Sequence, residues 1–406
     1  MTLPADCERS QSRYKIRVLS TFGGTAVRGS IAGGDRYGLE VLRAWEQSGV
    51  AAVEISASAF SNEINEMFGY CLPAVSFEAA SHDVGAWRLE YVGRFLRQLK
   101  SVLRMPPAPW GYSFTPFYYD ALPMVVLRLM GRVRFLLVPV FHTIPPPSER
   151  GWRAQNVAAW LENRIMLRIL RAVGAQIIVD NVQLIDELVG LGFPRESVIL
   201  SSMGVPRRHV VEGREEQVNA EHFDCIYVGR LASTKGVDLL LQAWSLVVKR
   251  ITGARLALVG SRDANLDLES RMADLALTER DVQVFEGLSD AGVQSLLRRS
   301  KCFVTASFEE GYCLAVAEAM REGLPCVTFD LPAFKLVYPC GRLVVSERSA
   351  SEFASAIVKM LGNETLRREL AAEVVAHYHF KKWSEVADDL WRKCTELCGD
   401  DSKDRS

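Results

Sequence analysis

Short apolar runs alternate with longer stretches of helical period along almost the whole chain. The first run, "YKIRVLSTFGG", reads as a strand that ends in glycines, and "AGGDRYGLEVLRAWEQSG" follows as a loop and a helix. Further strands are predicted at 50–55, 134–140 ("RFLLVPV"), 175–180 ("AQIIVD") and 197–202 ("SVILSS"), with helices at 85–103, 120–130, 153–172 and 181–191. This alternation predicts βαβ units and a parallel sheet. Over 203–222 the pattern breaks into the polar, irregular "MGVPRRHVVEGREEQVNAEH", a linker by its composition. A second series then begins. "FDCIYVGRL" is a strand, and "GVDLLLQAWSLVVKR" is a helix with Val237, Leu240, Leu241, Trp244, Val247 and Val248 on one buried face. "RLALVG", "VQVFEG", "CFVTAS" and "PCVTFD" are strands with helices between them, and helices close the chain over 349–398. Two parallel-sheet domains of similar size follow, and ligands of such pairs lie at the carboxyl ends of the strands.

Composition narrows the class. A length of 406 residues suits two or three domains, and 49% hydrophobic with 24% charged residues is ordinary for a globular protein. The net charge of −1 gives no overall attraction to nucleic acid or to acidic substrates, so any electrostatic targeting is local. The nine cysteines are odd in number and irregularly spaced, and several sit in apolar runs, which fits buried free thiols better than disulfides. The close pair in "CTELC" lacks the second pair or the histidines of a zinc site. No secretory signal is visible in the polar start "MTLPADCERSQSRYK". The most apolar stretch, 121–141, is interrupted by Arg128, Arg132, Arg134, Pro123 and Pro139. A spanning helix needs ~20 largely uncharged residues, so this stretch reads as a helix followed by a strand.

The chemistry concentrates in "KCFVTASFEEGYCLAVAEAMREGLP". It parses as a strand ending near Ser307, a loop of Glu309, Glu310, Gly311 and Tyr312, and a helix over roughly 313–322. Glu310 then stands at the carboxyl edge of a strand and Glu318 inside the helix. On an ideal helix the two would be about 12 Å apart along the axis and about 80° apart in azimuth. The amides of Tyr312, Cys313 and Leu314 at the helix start suit an anion, and Gly311 lets backbone approach a ligand closely. A sugar nucleotide has the matching layout of sugar, diphosphate and ribose. A capping Glu310 with a solvated Glu318 is the plainer alternative. "VGRLASTKG" tilts the balance by placing Arg230 and Lys235 after the first strand of the second domain. A guanidinium fork and a movable ammonium there would stabilise a departing diphosphate.

These stretches resemble the retaining glycosyltransferases of the GT-B fold in the large family 4 group, the glycosyltransferases of group 1. The likeness is carried by "YVGRLASTKGVDLLLQAW", "RLALVGS", "VQVFEGLSDAGVQSLLRRSKCFVTASFEEGYCLAVAEAMREGLPCVTFDLPA" and "GRLVVSERSASEFASAIVKML", in that order and spacing. It is strong over 203–390. It is looser in the first half, where "AGGDRYGLEVLRAWEQSGV" and "VFHTIPPP" are similar to the family's glycine loop and histidine segment. The resemblance implies an α/β GT-B fold: two Rossmann-like parallel-sheet domains facing across a deep cleft. It sets an N-terminal tail at 1–14, an acceptor domain at 15–205, a donor domain at 206–380, a helix at 381–398 packing back on the first domain, and a polar tail at 399–406.

Carried over by residue, the resemblance puts Glu310 near the reacting carbon of the donor sugar and Glu318 on the ribose hydroxyls. Arg230 and Lys235 would hold the diphosphate, and the amides of Gly311, Tyr312, Cys313 and Leu314 the sugar and phosphate. Leu288 would lie at the nucleobase. Gly33 and Gly34 would close over the phosphate from the other domain, and His142 would stand near sugar and acceptor. The chain departs from the family pattern at Met203, at Ser261-Arg262 and at Asp35. The implied reaction moves a hexose (glucose, mannose or a related sugar) from a UDP- or GDP-sugar to a lipid-linked, polysaccharide or other glycan acceptor, with retention and with no metal or other cofactor.

For the acceptor, residues 88–118 mix Arg88, Arg94, Arg97, Lys100 and Arg104 with a stripe of Val92, Phe95, Leu96, Leu99, Val102 and Leu103. This reads either as a packed amphipathic helix or as a patch for the cytoplasmic face of a membrane. A cytoplasmic protein, peripheral on that face, is the expectation, and oligomeric state is left open. A non-catalytic sugar-nucleotide-binding subunit and a sugar-phosphate-acceptor synthase of the same fold are the alternatives. A nicotinamide dehydrogenase is disfavoured because "GGTAVRGSIAGGDRYG" lacks the tight GxGxxG turn. A nucleic-acid binder lacks both charge and motif.

Overall fold

A computed structural model describes residues 17–22, 33–57, 74–76, 87–150, 152–205, 222–263 and 266–398. The polar tails and most of the linker lie outside the described residues. The chain divides into two compact units, one ending at Gly204 and completed by Trp383–Ser406, the other running over Val205–Lys382.

The first unit is built on a seven-stranded sheet of β1 (Arg17–Phe22), β2 (Ala52–Ala57), β3 (Ala74–Ser76), β4 (Ala108–Ser113), β5 (Val133–Pro139), β6 (Gln176–Val179) and β7 (Val198–Leu200). The strands lie in the order β3-β2-β1-β4-β5-β6-β7, each pair parallel. The order reverses between β1 and β4, the position at which open α/β sheets leave a crevice above their carboxyl ends. The helix Trp87–Val102 packs on Tyr118–Leu129, which packs in turn on Ala154–Ala172, while Gly33–Gln47 packs against Trp383–Cys398. The closing helix is fixed there by Trp45, which donates from Nε1 to the Ala387 carbonyl at 2.9 Å and stacks edge-on with Trp391. The stretch read as a helix and a strand over 121–141 is the helix Tyr118–Leu129 followed by β5.

The reading of 88–118 as one surface patch is corrected. Its last part is β4, a central strand whose Trp110 and Tyr112 are buried. Pro109 and Gly111 disguise it, because proline is scarce inside sheets, yet Pro109 falls between the paired positions Ala108 and Trp110. The remaining helix turns Gln98, Ser101 and Val102 inward and leaves Val92, Leu96 and Leu103 exposed, so the six apolar residues do not form one buried stripe.

The second unit holds six parallel strands: β8 (Phe223–Val228), β9 (Leu256–Val259), β10 (Val282–Phe285), β11 (Ser300–Thr305), β12 (Cys326–Phe329) and β13 (Arg342–Val345). Their order is β10-β9-β8-β11-β12-β13. Trp244, Phe303, Phe329 and Phe353 fill its core at essentially zero exposure. β8 and β11 are neighbours although 77 residues separate Cys225 from Cys302, and these free thiols meet at 3.4 Å. That adjacency brings the loops after β8 and β11 together. Among the described residues no helix is long and apolar enough to cross a membrane.

Candidate functional site

Three loops meet at the carboxyl ends of β8, β9 and β11. The loop after β8 is tied to the loop after β9 by Leu231 N–H to Ser261 O at 2.8 Å and Asp263 N–H to Leu231 O at 3.0 Å. Gly260 adopts φ +148, and a Cβ there would stand 1.9 Å from the Gly229 carbonyl oxygen. The loop then makes a single turn, Ser233–Lys235, and reaches Gly236 at φ +71, where a Cβ would lie 1.8 Å from the Ala306 carbonyl oxygen beyond β11. Only glycine permits both approaches. Tyr227 supports the loop from below, its hydroxyl donating to the Arg230 carbonyl at 2.9 Å.

This tight seam sets Lys235 against the loop after β11. Lys235 Nζ lies 2.7 Å from Glu310 Oε1, with the two side chains 31% and 11% exposed. At that burial the pair is charge-assisted and poorly screened, unlike a surface ion pair. The loop carrying Glu310 is held by Ser307, whose hydroxyl donates to the Glu309 carbonyl at 3.2 Å, and by Arg348, which donates to the Phe308 carbonyl at 3.1 Å and lies over its ring. The helix runs over Leu314–Arg321, a turn shorter in effect than expected, because Cys313 takes the left-handed conformation at φ 62, ψ 79. A non-glycine residue there is strained and marks the site rather than the fold. Its carbonyl is pinned by the Tyr338 hydroxyl at 3.2 Å, and Tyr338 packs edge-on against Tyr312. Burial, then the charge of Glu310, pushes the Cys313 thiol well above its ordinary range, so it stays protonated and is no nucleophile.

The remaining positions are placed as follows. Glu318 is half-buried on the second turn of the Leu314–Arg321 helix, and Arg230 is exposed. Leu288 packs against the core just before Ser289, which caps the helix Asp290–Arg298 by accepting from Gly292 N–H at 3.1 Å. In the first unit Gly33 and Gly34 open the helix Gly33–Gln47, and His142 is exposed beyond β5. Lys235 and Glu310 are thus brought into direct contact, and Gly311, Tyr312, Cys313 and Leu314 follow in the same loop and helix start.

Four contributors were not anticipated: Tyr227, Gly236, Gly260 and Tyr338. The glycines carried a visible signal, each standing just past a strand or turn, whereas the tyrosines act on residues far along the chain. Arg262, where the family pattern has another residue, ties the ends of β9 and β10 by pairing with Glu286 at 2.8 Å and with Glu269. Among the described residues no group of three or more His, Cys, Asp or Glu is arranged to hold a metal ion.

Residues 222–363 match the family model of the glycosyl transferases group 1. The second unit belongs to that family. Over 187 residues the chain is 29% identical to the phosphatidyl-myo-inositol mannosyltransferase of Mycobacterium tuberculosis, covering 44% of this chain and 48% of that protein. Over 165 residues it is 29% identical to the GDP-mannose:cellobiosyl-diphosphopolyprenol alpha-mannosyltransferase of Xanthomonas oryzae, covering 38% and 43%. The glycosyltransferase domain therefore carries the likeness, and the match spans about half the length of these relatives or less. At the level of fold the likeness extends over both units. Anabaena HepE, solved with UDP and glucose, superposes with a TM-score of 0.70 at 14% identity over 93% of this chain and 99% of its own. WaaG, a glycosyltransferase of lipopolysaccharide biosynthesis, gives 0.68 at 14% identity over 92% and 98%. The two parallel-sheet units with a group 1 domain second are the GT-B fold.

Proposed function

We propose that this chain is a retaining hexosyltransferase that takes its sugar from a nucleoside-diphosphate donor and gives it to a lipid-linked or other glycan hydroxyl. The observation that carries the reading is the Lys235–Glu310 contact at the seam of two strand-end loops, inside a group 1 glycosyltransferase domain. An arriving diphosphate draws Lys235 to itself together with Arg230, and Glu310 is released to accept hydrogen bonds from the donor sugar. The bond from the anomeric carbon to the diphosphate oxygen breaks with its electron pair on the leaving group. The acceptor oxygen forms the new bond and loses its proton. Lys235, Arg230 and the amides of Gly311, Tyr312, Cys313 and Leu314 take up the leaving-group charge, so the step needs no metal. Glu318 holds the ribose, Leu288 lies against the base, and Gly33, Gly34 and His142 act from the first unit.

A lipid-linked acceptor is supported by the relatives, one named for phosphatidyl-myo-inositol and another for a diphosphopolyprenol. UDP and GDP both stand as nucleotides, since a structural neighbour holds UDP and a relative is named for GDP-mannose. Peripheral attachment on the cytoplasmic side is supported by the helix Trp87–Val102 and its continuation, whose Val92, Leu96, Lys100, Leu103 and Arg104 are exposed.

The test is a panel of UDP-, GDP- and ADP-sugars scored for slow donor hydrolysis and thermal stabilisation, on wild type and Glu310→Ala. One donor stabilises the wild type, and the variant loses about a hundredfold in turnover. Intact donors that neither stabilise nor react would leave a non-catalytic subunit, and transfer to a free sugar phosphate would make the chain a synthase.

A further inference from the structure

The first unit carries a second concavity, away from the strand ends. A cavity of about 500 Å³ lies between one flank of the helix Ala154–Ala172 and the turn at Gly190–Phe193. Its size suits a head group and the first methylenes of an amphiphile. Its walls divide by chemistry. Leu161 and Ile165, 46% and 51% exposed, lead into Trp160, Leu191 and Phe193. Arg164, Arg168 and Arg171 recur at helical spacing on the same flank, and no carboxylate is among the lining residues.

Two of those residues hold buried donors that the fold does not use. Trp160 Nε1 and Arg164 Nε are both buried without a hydrogen-bond partner among the described residues, and the Arg164 guanidinium lies 5.9 Å from the Trp160 ring centre. A buried unpartnered N–H is costly, and two neighbouring ones in a cationic wall call for an acceptor that brings negative charge. Arg171 is already turned to the turn, donating to the Leu191 carbonyl at 2.6 Å, which fixes the far wall. Arg168 is exposed at the mouth.

We propose that this groove binds the phosphate of an anionic membrane lipid, with the lipid chain lying along Leu161 and Ile165. A free oxyanion would use the donors and arginines but would leave the apolar rim in water. The rim is continuous with further exposed apolar residues, since the helix Tyr118–Leu129 packs on the same helix and ends in the exposed Leu129 and Met130. Basic residues beside an apolar face are the composition that binds anionic bilayer surfaces. The site is independent of the donor chemistry of the second unit and would hold whether or not that reading does.

The experiment is co-sedimentation of the full chain with vesicles of phosphatidylcholine alone and with an equal part of phosphatidylglycerol, at low and high salt. Wild type binds the anionic vesicles at least tenfold more tightly than the neutral ones. Arg168→Glu loses about tenfold of that binding, Trp160→Phe loses severalfold at unchanged melting temperature, and Arg280→Glu in the second unit changes it by less than twofold. Equal losses in Arg168→Glu and Arg280→Glu would reduce the effect to net charge and overturn the groove. Equal binding to both vesicle types, or none to either, would also overturn it. Full displacement by soluble glycerol phosphate would mean a small-oxyanion site and would overturn the lipid.

Discussion

The carboxyl ends of the two sheets are built by different means. In the second unit the strand ends are fixed by the backbone: Gly236 against Ala306, Gly260 against Gly229, Cys313 held left-handed by Tyr338. In the first unit they are fixed by side chains. Tyr37 stacks edge-on with Phe141, and its hydroxyl donates to Ser201 at 2.7 Å. A buried Asp35 and a half-buried Asp180 stand nearby in sequence order at strand and helix ends. A backbone-built edge cannot adjust without refolding, which suits a site for an invariant diphosphate. An edge built from side chains tolerates exchange of residues, which suits the unit expected to select the acceptor.

The largest effects should separate these two constructions. Gly236→Ala forces a Cβ into the Ala306 carbonyl at a left-handed φ, and we expect a loss of more than about 4 kcal/mol in denaturant unfolding of the second unit. Gly34→Ala, where the Cβ would meet only the Phe141 ring at 3.3 Å, should cost no more than about 1 kcal/mol. Similar losses at both positions would remove the distinction.

Next comes chemistry. Lys235→Ala leaves Glu310 without its cation and the diphosphate without one of its own, so transfer should fall about a hundredfold. His142→Ala, at an exposed position in the first unit, should cost about tenfold in steady-state turnover. A larger loss at His142 than at Lys235 would shift the chemistry to the first unit.

A third effect is thermodynamic. Burial raises the Asp180 carboxyl to about 6, while Asn181 Nδ2 donates to its Oδ1 at 2.8 Å. The folded state therefore holds the proton more tightly than the unfolded chain, whose aspartates titrate near about 3.9. This contribution is fully favourable below about pH 4, is lost as pH rises to about 6, and stays lost above. Asp180→Asn should flatten that decline and add about 2 kcal/mol of stability at neutral pH, read from melts across the range. The smallest effect is Tyr338→Phe, which removes one hydrogen bond to Cys313 and should cost about 1 kcal/mol.

Much of the architecture was legible because periodicity reports burial directly. β5, β6 and β8 and the helices around them fall within a few residues of their expected places. β4 was not legible, because "APWGYS" carries a proline and a glycine in a strand that happens to pair on either side of the proline. At the site, the meeting of Lys235 and Glu310 could be expected from two loops at neighbouring strand ends. The left-handed Cys313 could not, since nothing marks a cysteine for that conformation when glycine is the usual choice. Tyr227 and Tyr338 were silent for another reason: each serves a backbone carbonyl, and carbonyls leave no trace in a sequence.

The second unit enters and leaves through one doorway. Val205 donates to the Lys381 carbonyl at 3.0 Å, and the strand-like bridge between Val205 and Lys382 joins the two crossings. Just beyond it, the Trp383 ring sits over Gly204, and the helix that follows completes the first unit. During synthesis the unit begun first is therefore finished last. The glycosyltransferase domain emerges whole while its predecessor still waits for Trp45 to find Ala387, so a ribosome that stalls before residue 383 would release a folded second unit tethered to an unfinished first.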